Sequence, residues 1–295
     1  MINFRPINIS DKGWVDELLA YSDYRGAEYC FTNLFIWEGV YNSTIARYKD
    51  FLLIRSGRER SWRYLYPAGR GDRREVIETI RADAEEKGGT FSIIGLTSDT
   101  KRELEAIFPN KFHFTPIRDS YDYLYDSEKL ISLSGKKLQS KRNHINYFTT
   151  HYEWSYEDMA VNKLEEVKAF NEEWCRISDC SKNKTLELEC CAVQKCLKEY
   201  SGLGVAGGII RADGKMVAFT VGERINSDTA IIHIEKALPD IRGAYPMINR
   251  EFARLIAPNL KYINREDDIG DLGLRKAKES YHPAFMLEKY VADIF

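Results

Sequence analysis

From residue 205 to 291 the chain alternates extended and helical stretches in one order, and that order sets the tightest limit on its architecture. Residues 205–211 and 216–225 are apolar runs joined by Ala212-Asp213-Gly214-Lys215, where Asp-Gly supplies the turn residues of a tight hairpin. Asn226-Ser227-Asp228 turns the chain again into 229–237, so three antiparallel strands are expected. A helix over 245–256, stopped before Pro258, leads to a strand at 261–264. A helix over 272–281, closed by Pro283, leads to a last strand at 285–291. Upstream, helices are predicted over 135–152, 162–175 and 186–200, and Gly202 and Gly204 mark the change to extended structure.

The first half carries similar elements more weakly. Ser10 and Asp11 are placed to cap a helix with Trp14, Val15, Leu18 and Leu19 on one face. The run Tyr29-Cys30-Phe31-Thr32-Asn33-Leu34-Phe35-Ile36-Trp37 reads as core packing, because aromatics contribute large buried area. Strands are predicted at 43–48, 51–55 and 62–65, then a helix over 73–87 ended by Gly88-Gly89. A strand at 91–94, a helix over 99–108 and strands at 112–114 and 121–125 complete this half. Three antiparallel strands, a helix, a strand, a helix and a final strand is the order of the N-acetyltransferase core. The expected fold is therefore α+β: two tandem N-acetyltransferase-like (GNAT) lobes, each a mixed, mostly antiparallel sheet flanked by helices. Residues 1–125 would form a degenerate N-terminal lobe and 126–295 a C-terminal lobe with the active groove. The 295-residue length suits two such units, and the absence of a Pro/Gly/Ser-rich linker implies that they pack together.

Composition narrows the partners. Basic residues number 43 and acidic ones 45, so any nucleic-acid contact must come from a local patch rather than a global field. No apolar run approaches the ~18 residues of a membrane span, and the opening residues lack a secretory pattern, so the cytoplasm is the expected compartment. Five of the six cysteines, Cys175, Cys180, Cys190, Cys191 and Cys196, crowd one segment. Their spacing lacks the C-x2-C pairs of zinc sites, so they read as reduced structural thiols and no metal is expected.

The helix over 135–152 is basic. Leu138, Ile145, Phe148 and Tyr152 share one side, and at ~100° per residue Lys141 falls inside that apolar stripe with Arg142 beside it. A cation there is explained by a groove for phosphate or carboxylate, with Arg142 as a bidentate fork, or by a stem that snorkels or an internal pair. After the strand at 229–237, Arg242-Gly243 leads into a helix, like the phosphate-binding loop of acetyltransferases. The second glycine of such a loop is missing, and Tyr245-Pro246 stands in that neighbourhood, so a coenzyme A cradle is compromised or the segment is an ordinary turn. Glu266, Asp267 and Asp268 lie between a strand end and a helix start, where acids suit the helix dipole and Asp271 suits the cap. Arg275 and Lys278 share a helix side, as further anion contacts or as a solvated basic face.

Three stretches resemble the family of the C-terminal domain of phosphatidylglycerol lysyltransferase, over nearly the whole chain. They are Gly135-Lys136-Lys137 through Lys141-Arg142-Asn143-His144, then His233-Ile234-Glu235-Lys236-Ala237, and Ile263-Asn264-Arg265-Glu266-Asp267 through Gly273-Leu274-Arg275-Lys276-Ala277-Lys278. The family's named member moves lysine from lysyl-tRNA to a lipid headgroup, on a fold similar to the tandem acetyltransferase folds of aminoacyl transferases. The full-length lipid enzyme also carries a membrane-spanning region that this chain lacks, so a lipid acceptor is not implied.

In such a fold the strand at 229–237 would line the groove where an acyl carbonyl meets an amine. With side chains alternating, His233 and Glu235 would share one face as an acid–base pair, with Glu266 within reach. Alternatively the two form a structural pair, or Glu235 neutralises Lys236 or another base. Donor phosphate would be held by Lys137, Lys141, Arg142, Arg242, Gly243, Arg275 and Lys278. The expected activity is transfer of an aminoacyl or acyl group to an amine or hydroxyl on a small-molecule, lipid or peptide acceptor. The donor is aminoacyl-tRNA held through a local basic patch, or acyl-CoA; a non-catalytic anion-binding module is the remaining alternative.

Overall fold

The computed structural model describes residues 2–58 and 61–295. Contacts divide the chain into two units: Met1–Asp122 with Asp267–Gly270 and Leu287–Phe295, and Tyr123–Glu266 with Asp271–Met286. The expected division was 1–125 and 126–295, whereas the contacts return Leu287–Phe295 to the first unit.

The first unit holds strands β1 (Arg5–Pro6), β2 (Thr44–Tyr48), β3 (Phe51–Arg58), β4 (Ser61–Leu65), β5 (Ala68–Gly69), β6 (Ser92–Leu96) and β7 (Phe112–Pro116). With the C-terminal strand Tyr290–Ile294 they form a sheet ordered β1-β2-β3-β4-β6, then the C-terminal strand, then β7, and β5 pairs with β3. Only β4 and β6 run parallel, with Tyr64 opposite Ile93. The C-terminal strand sits here because Ala292 is buried in this unit's core and Tyr290 and Ile294 pack against it. Helix α1 (Lys12–Ser22) follows a turn capped by Asn8, which accepts from the Ser10 amide while Asp11 accepts from the Asn8 amide. The cap therefore falls earlier than Ser10. Helix α2 (Phe31–Ile36) buries every residue of the aromatic block that it contains, and α3 (Glu38–Tyr41) follows it. Helix α4 (Arg73–Glu86) presses Val76, Ile77, Ile80 and Ala84 onto the sheet, and α5 (Ser98–Ile107) starts with a Thr97 capping box.

The second unit holds β8 (Asp122–Asp126), β9 (Trp154–Asp158), β10 (Ala206–Ala212), β11 (Lys215–Arg224), β12 (Thr229–Ala237), β13 (Tyr262–Asn264) and β14 (Phe285–Leu287), ordered β14-β8-β13-β12-β11-β10-β9. Its helices are α6 (Ser127–Ser132), α7 (Gln139–His151), α8 (Leu164–Ile177), α9 (Lys184–Lys198), α10 (Tyr200–Leu203), α11 (Ala244–Ile256) and α12 (Leu272–Glu279). The β10–β11 hairpin turns on Asp213 (φ 50) and Gly214 (φ 78), as the Asp-Gly pair predicts. β12 and β13 pair in parallel, in register only from Thr229 opposite Tyr262 to Ile231 opposite Asn264. Beyond that the two strands part, while β12 runs on beside β11 to Ala237.

A bulge in β12 decides which side chains reach the parting strands. Val221 faces Ile234 and Gly222 faces Ile232, so His233 is the extra residue. Ala230 and Ile232 join the core formed with Met247, Ile248 and Phe252 of α11, and so does Ala237. The phase therefore changes from even to odd positions across His233. On the other face Phe219 meets Phe170 of α8 with ring centroids 5.8 Å apart, and the Lys236 ammonium lies 3.8 Å from the Trp174 ring.

Candidate functional site

Glu235 emerges on the α11 face of β12, where the parallel strands separate. One oxygen accepts from the Arg265 guanidinium at 2.8 Å and the other from Asn249 Nδ2 of α11 at 2.9 Å. Arg265 follows β13 directly and is caged by aromatic rings, with its guanidinium carbon 4.7 Å from the Tyr281 ring centroid and 5.6 Å from that of Tyr125. Burial pulls this guanidinium toward neutrality, and the Glu235 carboxylate, with Tyr125 and Tyr281, more than offsets the pull. Lys278 of α12 fixes the neighbouring backbone by donating to the Arg265 carbonyl at 2.7 Å.

Lys141, near the start of α7, points at the same cluster with its ammonium 4.0 Å above the Tyr281 ring. Burial first, then repulsion from Arg265, lowers its pKa from the usual 10.5 to about 8 against the pull of Glu235. It makes no salt bridge among the described residues. Arg265 Nη1 and Asn249 Oδ1 are likewise buried without a hydrogen-bond partner. The cluster thus holds two cations against one carboxylate, and two polar atoms that a ligand could satisfy. One turn along α7, burial and then Arg242 and Lys141 depress the His144 pKa, so the positive field extends to the start of α11. Arg242 lies 4.3 Å over the Tyr147 ring.

His233 does not join this cluster. It follows core-facing Ile232 by one residue and so leaves β12 on the face opposite Glu235; the expected shared face is lost to the bulge. Its side chain is 0% exposed, with Nδ1 3.0 Å from Glu266 and Nε2 3.2 Å from Glu223. Glu266 takes a positive φ of 56 and its amide donates to Asn264 Oδ1 at 2.7 Å, which turns its carboxylate onto the imidazole. Nor does Glu235 neutralise Lys236, whose ammonium meets Glu189 at 2.7 Å.

The anion-binding candidates divide. Lys141 belongs to the cluster and Arg242 to its positive surround. Arg142 does not offer a free fork, because its guanidinium is spent on the carbonyls of Leu133 and Gly135 and on Gln139, closing the loop before α7. Lys137 is exposed in the short turn Lys136–Leu138. Lys278 serves backbone geometry, and Arg275 lies half-buried on α12. Gly243 caps α11 with φ 94, and a Cβ there would stand 2.4 Å from the His144 carbonyl. That glycine lets α7 approach α11.

Arg265, Asn249 and Tyr281 were missed as site residues in the sequence. Arg265 was legible in principle, as a cation directly after a strand whose parallel neighbour carries Glu235. Asn249 carried a signal as a polar residue on the apolar stripe of α11, where it is 0% exposed.

Two successive units along one chain, each a mixed sheet with a parallel strand pair and flanking helices, make a tandem GNAT fold. A tandem GNAT protein from the clavulanic acid biosynthesis pathway shares it at a TM-score of 0.51 and 11% identity, over 99% of this chain and 98% of that one. Residues 19–293 match the family model described as phosphatidylglycerol lysyltransferase, C-terminal, and the chain belongs to that family. A conserved protein of unknown function from Bacteroides thetaiotaomicron VPI-5482 is 38% identical, with both chains covered 100% and a TM-score of 0.96. L-PGS from Bacillus licheniformis shares the fold at 15% identity and a TM-score of 0.69, over 100% of this chain and 94% of that one. An uncharacterized protein of Mycoplasmoides gallisepticum is 27% identical over 183 residues, 59% of this chain and 56% of that protein, so the match spans little more than half of the curated relative. Among the described residues no helix is long and apolar enough to cross a membrane.

Proposed function

We propose that the second unit is an acyltransferase that moves an aminoacyl group from aminoacyl-tRNA to an amine or hydroxyl acceptor by direct attack. The observation that carries this reading is Lys141: a half-buried ammonium with its pKa lowered to about 8 and no salt-bridge partner among the described residues, beside a caged Arg265. Family membership and the tandem fold support acyl transfer in general. The aminoacyl-tRNA donor is supported by the positive field that Lys141 and Arg242 exert at His144, and by the close approach of α7 to Gly243 in the segment that resembles a coenzyme A loop.

In this mechanism the acceptor attacks the ester carbonyl carbon, and the carbonyl oxygen gains negative charge that Lys141 and Arg265 stabilise. As the tetrahedral species collapses, the bond to the ribose oxygen breaks and Lys141 gives that oxygen a proton. The proton shed by the acceptor restores the Lys141 ammonium, so the balance is ester plus amine or alcohol to amide or new ester plus free ribose hydroxyl. Glu235, held through both oxygens, orients Arg265 and balances its charge. Both Glu235 oxygens are already engaged by Arg265 and Asn249, so proton transfer falls to Lys141.

The test is to incubate the protein with tRNA charged with labelled amino acids and with amine or phosphatidylglycerol acceptors, following both ester loss and label on the acceptor. Acceptor-dependent ester loss supports the proposal. Consumption of acyl-CoA instead would move the activity to the coenzyme A class. Binding without any turnover would leave an anion-binding module.

A further inference from the structure

From Lys129 to Tyr152 the chain has no acidic residue, while it carries four lysines, one arginine and two histidines. Helix α7 lies within this stretch. Along it Lys141, His144, Tyr147 and His151 follow at steps of three, three and four residues, so they share one flank of the helix. That flank starts at the Glu235–Arg265–Lys141 cluster and reaches His151 ~15 Å further along the axis.

The far end of the flank is a stack of planar groups. The Tyr147 and His151 rings lie 3.8 Å apart, centroid to centroid, with an interplanar angle of 15°. The Arg242 guanidinium carbon lies 4.3 Å over the same Tyr147 ring. Two groups that close to one ring must take opposite faces, so the phenol is sandwiched between them. His151 is exposed yet held in place, with Nδ1 2.9 Å from the Tyr147 carbonyl and 2.9 Å from Thr150 Oγ1. A carbonyl only accepts, so Nδ1 carries the hydrogen and Nε2 is left as an acceptor. Arg242 is exposed too and makes no salt bridge among the described residues. The sandwich thus ends in two exposed planar groups, an imidazole on one side and a guanidinium on the other.

Cations in line with exposed planar rings are how proteins hold single-stranded nucleic acid: the cations follow the phosphates and bases stack on the rings. Unpaired RNA bases stack on tyrosine, histidine and the guanidinium plane alike. We propose that this flank of α7 holds the unpaired 3′ end of the donor tRNA. One base stacks on the outer face of His151, and the strand runs past Arg242 toward Lys141, where the terminal ester reacts. The platform rests on the donor being aminoacyl-tRNA, and it adds a nucleobase subsite away from the reacting atoms.

Fluorescence anisotropy of a labelled single-stranded RNA ending in CCA, titrated with the full chain, tests the platform without requiring turnover. The wild type is expected to bind saturably. Tyr147→Leu and His151→Ala should each weaken binding by about tenfold, the scale of one lost base stack, with the circular dichroism unchanged. Tyr147→Trp, which keeps a ring in the sandwich, should retain wild-type affinity. Undiminished RNA binding by the leucine and alanine variants would overturn the platform, and ester loss from charged tRNA would still leave the transfer reading standing. RNA binding that depends on both rings, without ester loss by the wild type, would support the platform and remove the transfer. Absence of RNA binding to the wild type would overturn the proposal. So would coenzyme A bound more tightly than the RNA with the same dependence on Tyr147 and His151, which would give the stack to a nucleotide cofactor.

Discussion

Arg265 reaches Glu235 at 2.8 Å across the gap where two parallel strands part, and both side chains are about nine-tenths buried. The pair spans β12 and the end of β13, so it holds the mouth of the gap at one width. Its neighbour in sequence, Glu266, grips His233 on the opposite face of β12. Two consecutive residues thus pin one strand from both sides.

Removing one member of the Glu235–Arg265 pair leaves the other charge buried and unmatched. Glu235→Ala is expected to destabilise the fold by ~3–5 kcal/mol, read as a lower midpoint in urea. Glu235→Gln, which keeps the shape and the hydrogen-bond acceptor, should be milder. A wild-type midpoint for Glu235→Gln would show that the charge is not what matters.

His233 is expected to matter for folding and little for chemistry. Its imidazole is enclosed between Glu223 and Glu266, and its side chain has no exposed surface. His233→Ala should lower the melting temperature, while the transfer rate per folded molecule stays within about tenfold of wild type, below the 10²–10⁴ that a general acid or base contributes. A rate loss larger than that at an unchanged melting temperature would return His233 to the reaction.

Lys141 makes stability and activity depend on pH in linked ways. Its folded pKa of about 8 lies below the 10.5 of the free group, so the unfolded chain holds the proton more tightly. Below about pH 8 its burial opposes folding in full, and the penalty fades as pH rises toward 10.5. Lys141→Met should therefore gain stability relative to wild type at neutral pH, with a difference that shrinks on going alkaline. Transfer, which needs the ammonium, should fall above about pH 8 in the wild type. Lys141→Arg, which stays charged, should extend the plateau if it supports turnover. A stability difference that ignores pH would contradict the assigned shift.

Gly243 has a backbone reason to be glycine. Gly243→Ala combines a φ of 94 with a Cβ only 2.4 Å from the His144 carbonyl, so α7 must move away from α11. Backbone strain alone costs ~1–3 kcal/mol, and the clash adds to it. Thermal melting should register a clear loss; a neutral variant would mean that the helices can part freely.

The sequence carried the elements well and their phase poorly. Thr229–Ala237 is found at its predicted bounds, and Asp213-Gly214 turns its hairpin, because turn chemistry and apolar runs are local properties. The bulge at His233 is set by how β12 pairs with β11 around Gly222, where a Cβ would lie 2.2 Å from the Ile231 carbonyl. Alternation counted along β12 alone cannot register that extra residue, and so His233 and Glu235 looked like partners. Arg142 misled for a related reason: the carbonyls of Leu133 and Gly135 that it satisfies belong to a loop whose path depends on tertiary packing. Strand β9 was absent from the sequence reading, and the last strand was assigned to the second lobe, because sheet membership is decided by which edge is open. Lys141 was picked out correctly as a cation inside an apolar stripe, and the ring of Tyr281 beneath it supplies the reason.

The most direct test of the transfer cleft is the single-turnover rate of ester loss from charged tRNA in Lys141→Met beside the wild type. A fall of about 10²–10³, with charged-tRNA affinity changed only a few-fold, is the predicted result for a donor aimed at developing negative charge. A rate within twofold of wild type would remove Lys141 from the reaction and contradict the account.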